Sequence, residues 1–180
     1  MVTRRPVQMC QLLVLAVAVA CSDATGPAAD TLSALVNGSA FTGRTYPTGS
    51  VGLLDTVDMG LTITGIQFMS PTMSENLILS VRGFHGVGQY RTCTTSSYLF
   101  GVYFKVDQLD TARLPEYSTT GVCSGEVDVQ TYVPITSTIA GTFHFAATSS
   151  SAPDTVQVTD GRFTGKVEIA GLILTPTSHR

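Results

Sequence analysis

Residue types that carry out enzymatic or metal chemistry occur in this chain, but their spacing matches no catalytic or metal-binding motif. The three histidines are His85, His144 and His179. His144 alternates with two phenylalanines and is expected on the solvent side of a strand. The chain contains no Gly-x-Ser-x-Gly elbow, no Cys-x2-Cys or His-Glu-x-x-His zinc motif and no EF-hand loop. The sequence therefore predicts no enzyme, metal site or cofactor, although a Ser-His-Asp triad assembled only in space leaves no such motif.

Two carboxylate pairs and one glycine-rich stretch are the remaining candidates for chemistry. Asp55 with Asp58, and Asp107 with Asp110, are spaced three residues apart. Between strands such residues are expected to bond their own backbone in turns rather than to bind calcium. The stretch 83–88 is dense in glycine, but no helix and no Lys-Ser/Thr pair follows it. A phosphate-binding loop is therefore not predicted.

The N-terminal segment is built like a secretory signal peptide. Arg4 and Arg5 give a positive start, and an apolar run from Leu12 to Ala20 follows. This run is much shorter than the roughly 20 residues that a membrane-spanning helix needs. We expect residues 1–20 to be a signal peptide and the mature chain to begin at Cys21.

The end of this leader, Ala18-Val19-Ala20-Cys21, resembles a bacterial lipobox. The resemblance implies that the Cys21 sulfur is diacylated, that the chain is cut before it and that the new amino terminus is acylated. Ala18 departs from the leucine that lipoboxes favour. The alternative is ordinary signal peptidase, which accepts the same pair of alanines and adds no lipid. Ser22 implies, again by resemblance to lipoproteins of two-membrane bacteria, the outer membrane as the destination.

The other cysteines favour lipidation of Cys21. Cys10 lies in the leader, so an exported chain keeps Cys93 and Cys123 as an even pair. We predict that these two form a disulfide in an oxidising compartment. Closing that loop stabilises a fold by roughly 3 to 4 kcal/mol in the chain-entropy model. The alternative is two buried, unpaired cysteines that pack as small apolar residues.

Charge and composition exclude some classes of partner. Without Arg4 and Arg5, 8 basic residues remain against 13 acidic ones, a net charge of −5. No cluster of Lys and Arg suggests binding to nucleic acid or to an anionic membrane surface. The low charged fraction of 13% and the many Thr, Ser, Gly and Val residues fit an exported β-protein. The length suits one domain.

Period-two alternation predicts an all-β domain over residues 31–174. The segment 21–30 lacks apolar periodicity and is expected to be a flexible tether behind the lipidated cysteine. Asn37-Gly38 is a turn signal and predicts a first hairpin or a bulged strand. A change of apolar phase at Gly65 predicts a bulge, and one at Asp160-Gly161 predicts a bulge or a tight turn.

Taken together, the pattern gives eight to ten strands in an antiparallel β-sandwich or a partly open barrel. Residues 175–180 are expected to fray.

The order of several short motifs resembles a family of exported bacterial lipoproteins of unknown function. The segments that carry the resemblance are 34–38 with Phe41, 61–65, 88–90, 139–147 and 158–163. The resemblance implies an all-β envelope domain and assigns no catalytic residue.

Three functions are compatible with these features. The first is a non-enzymatic, lipid-anchored module that binds an unidentified protein or small ligand at the membrane surface. The second is a barrel that carries a small hydrophobic ligand, with the aromatic strand 98–104 as its lining; this needs a cavity of roughly 300 Å³ or more. The third is a hydrolase, which predicts that His85 clusters with carboxylates and a serine.

The leader gives a direct prediction about Cys21. Protein extracted from the envelope should have the intact mass of a chain that begins at Cys21 plus three acyl chains. The Cys21→Ala variant should lack that added mass. A mature chain that begins at Cys21 and carries no acyl mass would show that ordinary signal peptidase processes it.

Overall fold

The computed structural model describes residues 30–44, 51–55, 58–93, 98–110 and 114–170. The predicted signal peptide, Cys21, nearly all of the predicted tether, His179 and the tail 175–180 lie outside the described residues. Among the described residues, no helix has both the length and the apolar character needed to span a membrane.

The prediction of an all-β domain is confirmed. The strands are β1 (Thr31–Val36), β2 (Ser39–Arg44), β3 (Gly52–Asp55), β4 (Gly60–Phe68), β5 (Met73–Arg82), β6 (Gly88–Arg91), β7 (Tyr98–Asp107), β8 (Glu116–Ser118), β9 (Glu126–Val133), β10 (Thr138–Thr148) and β11 (Thr155–Ala170). The described residues thus contain eleven strands where the sequence pattern predicted eight to ten. The additional strands are short: β3 and β6 have four residues and β8 has three, too few to show a clear alternation.

All strands belong to one sheet with the order β2-β1-β11-β3-β4-β5-β7-β8-β10-β9-β6. Because β11 also pairs with β10, the pairings form a circuit. The join between β8 and β10 is a single residue pair, Thr148 with Ser118. The sheet therefore curls into a partly open barrel, as one of the two predicted architectures requires. Every pairing is antiparallel except that of β3 with β11.

The first hairpin follows the predicted turn. Asn37 and Gly38 both have positive φ, 49° and 80°, which is the conformation of a two-residue turn that matches strand twist. The Asn37 side chain also accepts a hydrogen bond from the Gln157 amide at 2.8 Å. The turn is thereby fixed to the start of β11.

One predicted bulge is present and the other is not. Between β1 and β11 the register skips one residue around Asp160, whose φ is 51°, so of the two alternatives predicted there, a bulge or a tight turn, the bulge is present. At Gly65 the prediction is wrong, because β4 pairs with β5 without a register shift from Gly60 to Phe68. Gly65 points inward in phase with Leu61, and Phe68 is simply exposed.

Gly65 lies inside because two strands approach closely there. A Cβ on Gly43 would lie 2.7 Å from the Gly65 Cα and 2.9 Å from the ring of Phe41. A side chain on Gly43 would therefore require the backbone at Gly65 to move, and a Cβ on Gly65 would lie 3.0 Å from the Leu32 side chain. The contact holds β2 against β4 where only one residue pair, Arg44 with Ile66, joins them.

We predict that Gly43→Ala lowers the free energy of unfolding by about 1 to 3 kcal/mol, as overpacking does in other cores. The matched control is Gly60→Ala, where the nearest atom to the added Cβ is 4.0 Å away. That variant should be neutral or stabilising by up to about 1 kcal/mol. Urea unfolding measures both, and equal effects at the two sites would contradict the close contact.

Candidate functional site

The candidate site is a cavity of about 360 Å³ at one end of the barrel, open to solvent. Its lining residues are Val36, Asn37, Ser39, Glu75, Tyr103, Lys105, Leu114, Pro115, Tyr117, Asp154 and Val156. They come from β1, β2, β5, β7, β8 and β11 and from the connecting segments that contain Asn37, Leu114, Pro115 and Asp154. We call this the mouth cavity.

The alternation of β5 and β7 places charged side chains at the mouth. Glu75 lies in the same phase as Leu77 and Leu79, which are fully buried in the core. On β7, Lys105 lies in phase with Tyr103 and pairs directly opposite Glu75. The interior rows of the barrel therefore end in an acid and a base where the cavity opens.

Glu75 has two polar partners. Lys105 Nζ lies 2.9 Å from Glu75 Oε1, and the Tyr103 hydroxyl donates a hydrogen bond to the Glu75 side chain. The Glu75 side chain is only 11% exposed, whereas that of Lys105 is 47% exposed. A buried carboxylate is costly without such partners, so the ion pair and the phenol offset the cost of burying the Glu75 side chain in the mouth.

A second carboxylate lies across the cavity. The Tyr117 hydroxyl donates to Asp154, at 3.0 Å from Oδ1 and 3.1 Å from Oδ2. The rings of Tyr117 and Tyr103 are 6.3 Å apart. The cavity wall is therefore a continuous series of polar groups from Lys105 through Glu75 and the two tyrosines to Asp154.

Burial raises the pKa of both cavity tyrosines. For Tyr103 the cause is first desolvation and then the neighbouring Glu75 carboxylate, and its pKa lies well above the usual value of 10.0. Desolvation also raises the pKa of Tyr117, with a further contribution from the hydrogen bond to Asp154. Both phenols therefore stay protonated at neutral pH and act as hydrogen-bond donors.

The residues that the sequence singled out lie elsewhere. Cys93 and Cys123 form the predicted disulfide, with Cα atoms 5.4 Å apart. His144 is exposed on β10, as its alternation predicted. His85 lies on the glycine-rich loop, where its Nδ1 is 3.1 Å from the Gly83 carbonyl and its ring packs edge-on against Tyr90.

The glycine-rich loop and the aspartate pairs make local contacts with backbone groups. Gly83, Gly86 and Gly88 all have positive φ, and the buried Tyr90 hydroxyl donates to the Gly86 carbonyl at 2.7 Å. The Asp107 side chain accepts from the Leu109 amide at 2.9 Å. The Asp55 carboxylate lies 3.5 Å from the Asp58 amide. In the described part of the chain, no three His, Cys, Asp or Glu residues are grouped so that they could hold a metal ion.

A family model matches residues 32–166, from the first strand to the middle of the last. The chain belongs to this family, DUF6252, a domain of unknown function. The match to the DUF6252 domain includes every residue that lines the mouth cavity, and it ends before the four residues of β11 that pair with β3. No curated protein and no solved structure matches the chain significantly.

The mouth cavity of the DUF6252 domain was not identified from the sequence, although part of its signal was there. Glu75 occupies an inward-facing position on β5, on the same face as apolar residues of that strand. Lys105 lies on the same face of β7 as Leu99 and Tyr103. A charge at an inward position is a stronger indication than a charge on a solvent face. Tyr117 and Asp154 carry no such signal, because they lie on a three-residue strand and in a turn.

The raised tyrosine pKa values predict a loss of stability in alkali. An unfolded tyrosine ionises near pH 10, below its folded pKa, so the free energy of unfolding falls as pH rises above about 10. Between about pH 9 and about pH 11, Tyr103 alone should contribute a loss of about 1 kcal/mol.

Urea unfolding of the native chain and of Tyr103→Phe at the two pH values measures this loss. The Tyr103→Phe variant should lose less stability than the native chain. The control is Tyr98→Phe, at a 42% exposed position on the same strand. A pH dependence that is the same in the native chain and in Tyr103→Phe would contradict the role of Tyr103.

Proposed function

We propose that this protein is a non-enzymatic lipoprotein of the cell envelope whose β-domain binds a small cationic ligand in the mouth cavity. The cavity is the observation that supports ligand binding. Its volume of about 360 Å³ falls in the range of small-molecule sites, which are often found in the mouths of barrels.

The lining favours a positively charged ligand. Two carboxylates, Glu75 and Asp154, face one lysine, so the charged groups of the lining sum to −1. Tyrosine ring faces also attract cations, and two tyrosines contribute to the wall. The whole mature chain carries a net charge of −5 by sequence, which increases the local concentration of cations.

The lipid anchor is supported by the sequence of the leader and by the position of β1. The Ala-x-Ala-Cys21 segment resembles a lipobox, and Ser22 favours the outer membrane. Asp30, the first described residue, precedes β1 at the end of the barrel opposite the cavity. An anchor at Cys21 would therefore leave the mouth cavity free of the bilayer.

A carrier of a hydrophobic ligand has less support. The cavity is large enough, but strand β7 contributes Tyr103 and Lys105 to it, while Tyr98 and Phe100 lie on the outer face of the sheet beside Arg82. A hydrolase also has less support, because no histidine is among the described lining residues.

Titration calorimetry of the mature protein in detergent tests the ligand class. The probe is 1,4-diaminobutane, and succinate is an anion of the same length. We expect the diamine to bind and succinate not to bind. Asp154→Asn should weaken diamine binding about tenfold or more, because a lost hydrogen bond to a charged group costs about 1.5 to 3 kcal/mol.

The matched control is Asp58→Asn, which removes the same charge from an exposed turn next to β4, away from the cavity. It should leave diamine binding unchanged. Binding of succinate as tight as that of the diamine, no binding of the diamine, or equal effects of the two substitutions would contradict the proposal.

A further inference from the structure

The end of the barrel opposite the mouth carries four exposed apolar side chains. They are Met59, Val87, Val133 and Ile135, with exposed fractions of 50%, 59%, 39% and 97%. We call this group the apolar tip. Isolated exposed apolar residues are ordinary, so what matters is whether these four lie together.

Backbone and ring contacts beneath the tip bring the segments that carry these residues to the same end of the barrel. The Phe84 amide donates to the Met59 carbonyl at 2.7 Å. The ring of Phe84 packs edge-on against Tyr132, with centroids 5.2 Å apart. Met59 therefore lies beside the glycine-rich loop, and this loop lies beside the end of β9.

The other three residues lie next to the same pair of rings or to the turn that follows it. A Cβ on Gly86 would lie 3.8 Å from the Tyr132 ring, which places Val87 beside the end of β9. Val133 follows Tyr132 directly, and Ile135 stands on the turn between β9 and β10.

The chain enters the domain at this same end. The Asp30 side chain accepts a hydrogen bond from the Lys166 amide at 2.9 Å. Lys166 pairs with Thr138, the first residue after the turn that carries Ile135. The Val167 amide also donates to the Ser137 carbonyl of that turn at 2.7 Å. Asp30 is thus close in the sheet to the most exposed apolar residue of the tip.

We propose that the apolar tip inserts into the surface of the bilayer that holds the lipid on Cys21. The inference rests on the lipid anchor of the proposed function and is independent of the ligand in the cavity. The segment from Cys21 to Asp30 spans at most about 30 Å even when fully extended. An anchored chain therefore holds the tip near the membrane at a high effective concentration.

The charges around the tip include no cluster of basic residues that would select anionic lipid. Asp30 and Asp58 lie at this end, and so do Lys166, Arg44, which pairs with Thr31, and Arg82, which pairs with Gly60. Acidic and basic side chains are thus mixed, so zwitterionic lipid is the appropriate probe surface. Insertion should therefore depend on apolar area rather than on attraction between opposite charges.

The chain contains no tryptophan, so a single introduced tryptophan reports its own depth. Ile135→Trp, and separately Val87→Trp, are made in the full lipidated chain and reconstituted in phosphatidylcholine vesicles with brominated acyl chains. The control is Leu109→Trp, at an 83% exposed position beside the mouth. All three sites are exposed, so the substitutions leave the core intact.

The tryptophans at 135 and 87 should be quenched at least about twofold relative to unbrominated vesicles, as expected for burial below the headgroups. The tryptophan at 109 should not be quenched. If the protein floats with the vesicles but the tip tryptophans are unquenched, the inference is wrong and the anchor stands. Quenching at 109 would also overturn it. If the protein does not float and carries no acyl mass, both the anchor and the inference fail.

Discussion

Strand β11 is the element on which the rest of the sheet depends, because both of its edges are hydrogen-bonded. Phe163 pairs with Leu32 of β1 on one side and with Gly141 of β10 on the other. Its last residues, from Val167 onward, pair with β3. A strand of 16 residues is about three times the usual length. It must bend in order to pair with three neighbouring strands. The bulge at Asp160 supplies a bend of this kind.

The closure of the barrel determines where polar groups can be tolerated. Strands β5 and β7 pair without a register shift from Met73 to Arg82, and a strand without a bulge cannot change the face to which its side chains point. The row that buries Leu77 and Leu79 must therefore also turn Glu75 inward. That position is acceptable only at the strand end, where Lys105 lies opposite and water reaches the mouth.

Local features of the fold could be predicted because they depend on residues near in sequence. The hairpin at Asn37 and the bulge at Asp160 both follow from side chains that tolerate positive φ. The bulge predicted at Gly65 is absent because Ile66 and Phe68 do not face the core. Apolar residues are common on solvent faces, and only the partner strand decides which phase is buried.

The cavity could not be predicted to the same extent because it is made by long-range pairing. Glu75 and Lys105 are 30 residues apart, and β6 lies between them in the chain without pairing to either strand. Tyr117 and Asp154 meet only because β8 joins β7 to β10. Period-two alternation predicts which face of its strand each residue occupies. It does not predict the pairing register between strands that are distant in sequence.

The direction of β1 links the two ends of the barrel to the chemistry of each. β1 leads from Thr31 beside the apolar tip to Val36 at the cavity, about 20 Å for six extended residues. Any attachment that precedes Asp30 therefore holds the mouth on the far side of the domain. A ligand dissolved in a membrane would have to reach such a mouth through water, whereas a water-soluble cation would meet it directly. The polar lining and the position of the mouth thus favour the same class of ligand for independent reasons, one from side-chain chemistry and one from chain direction.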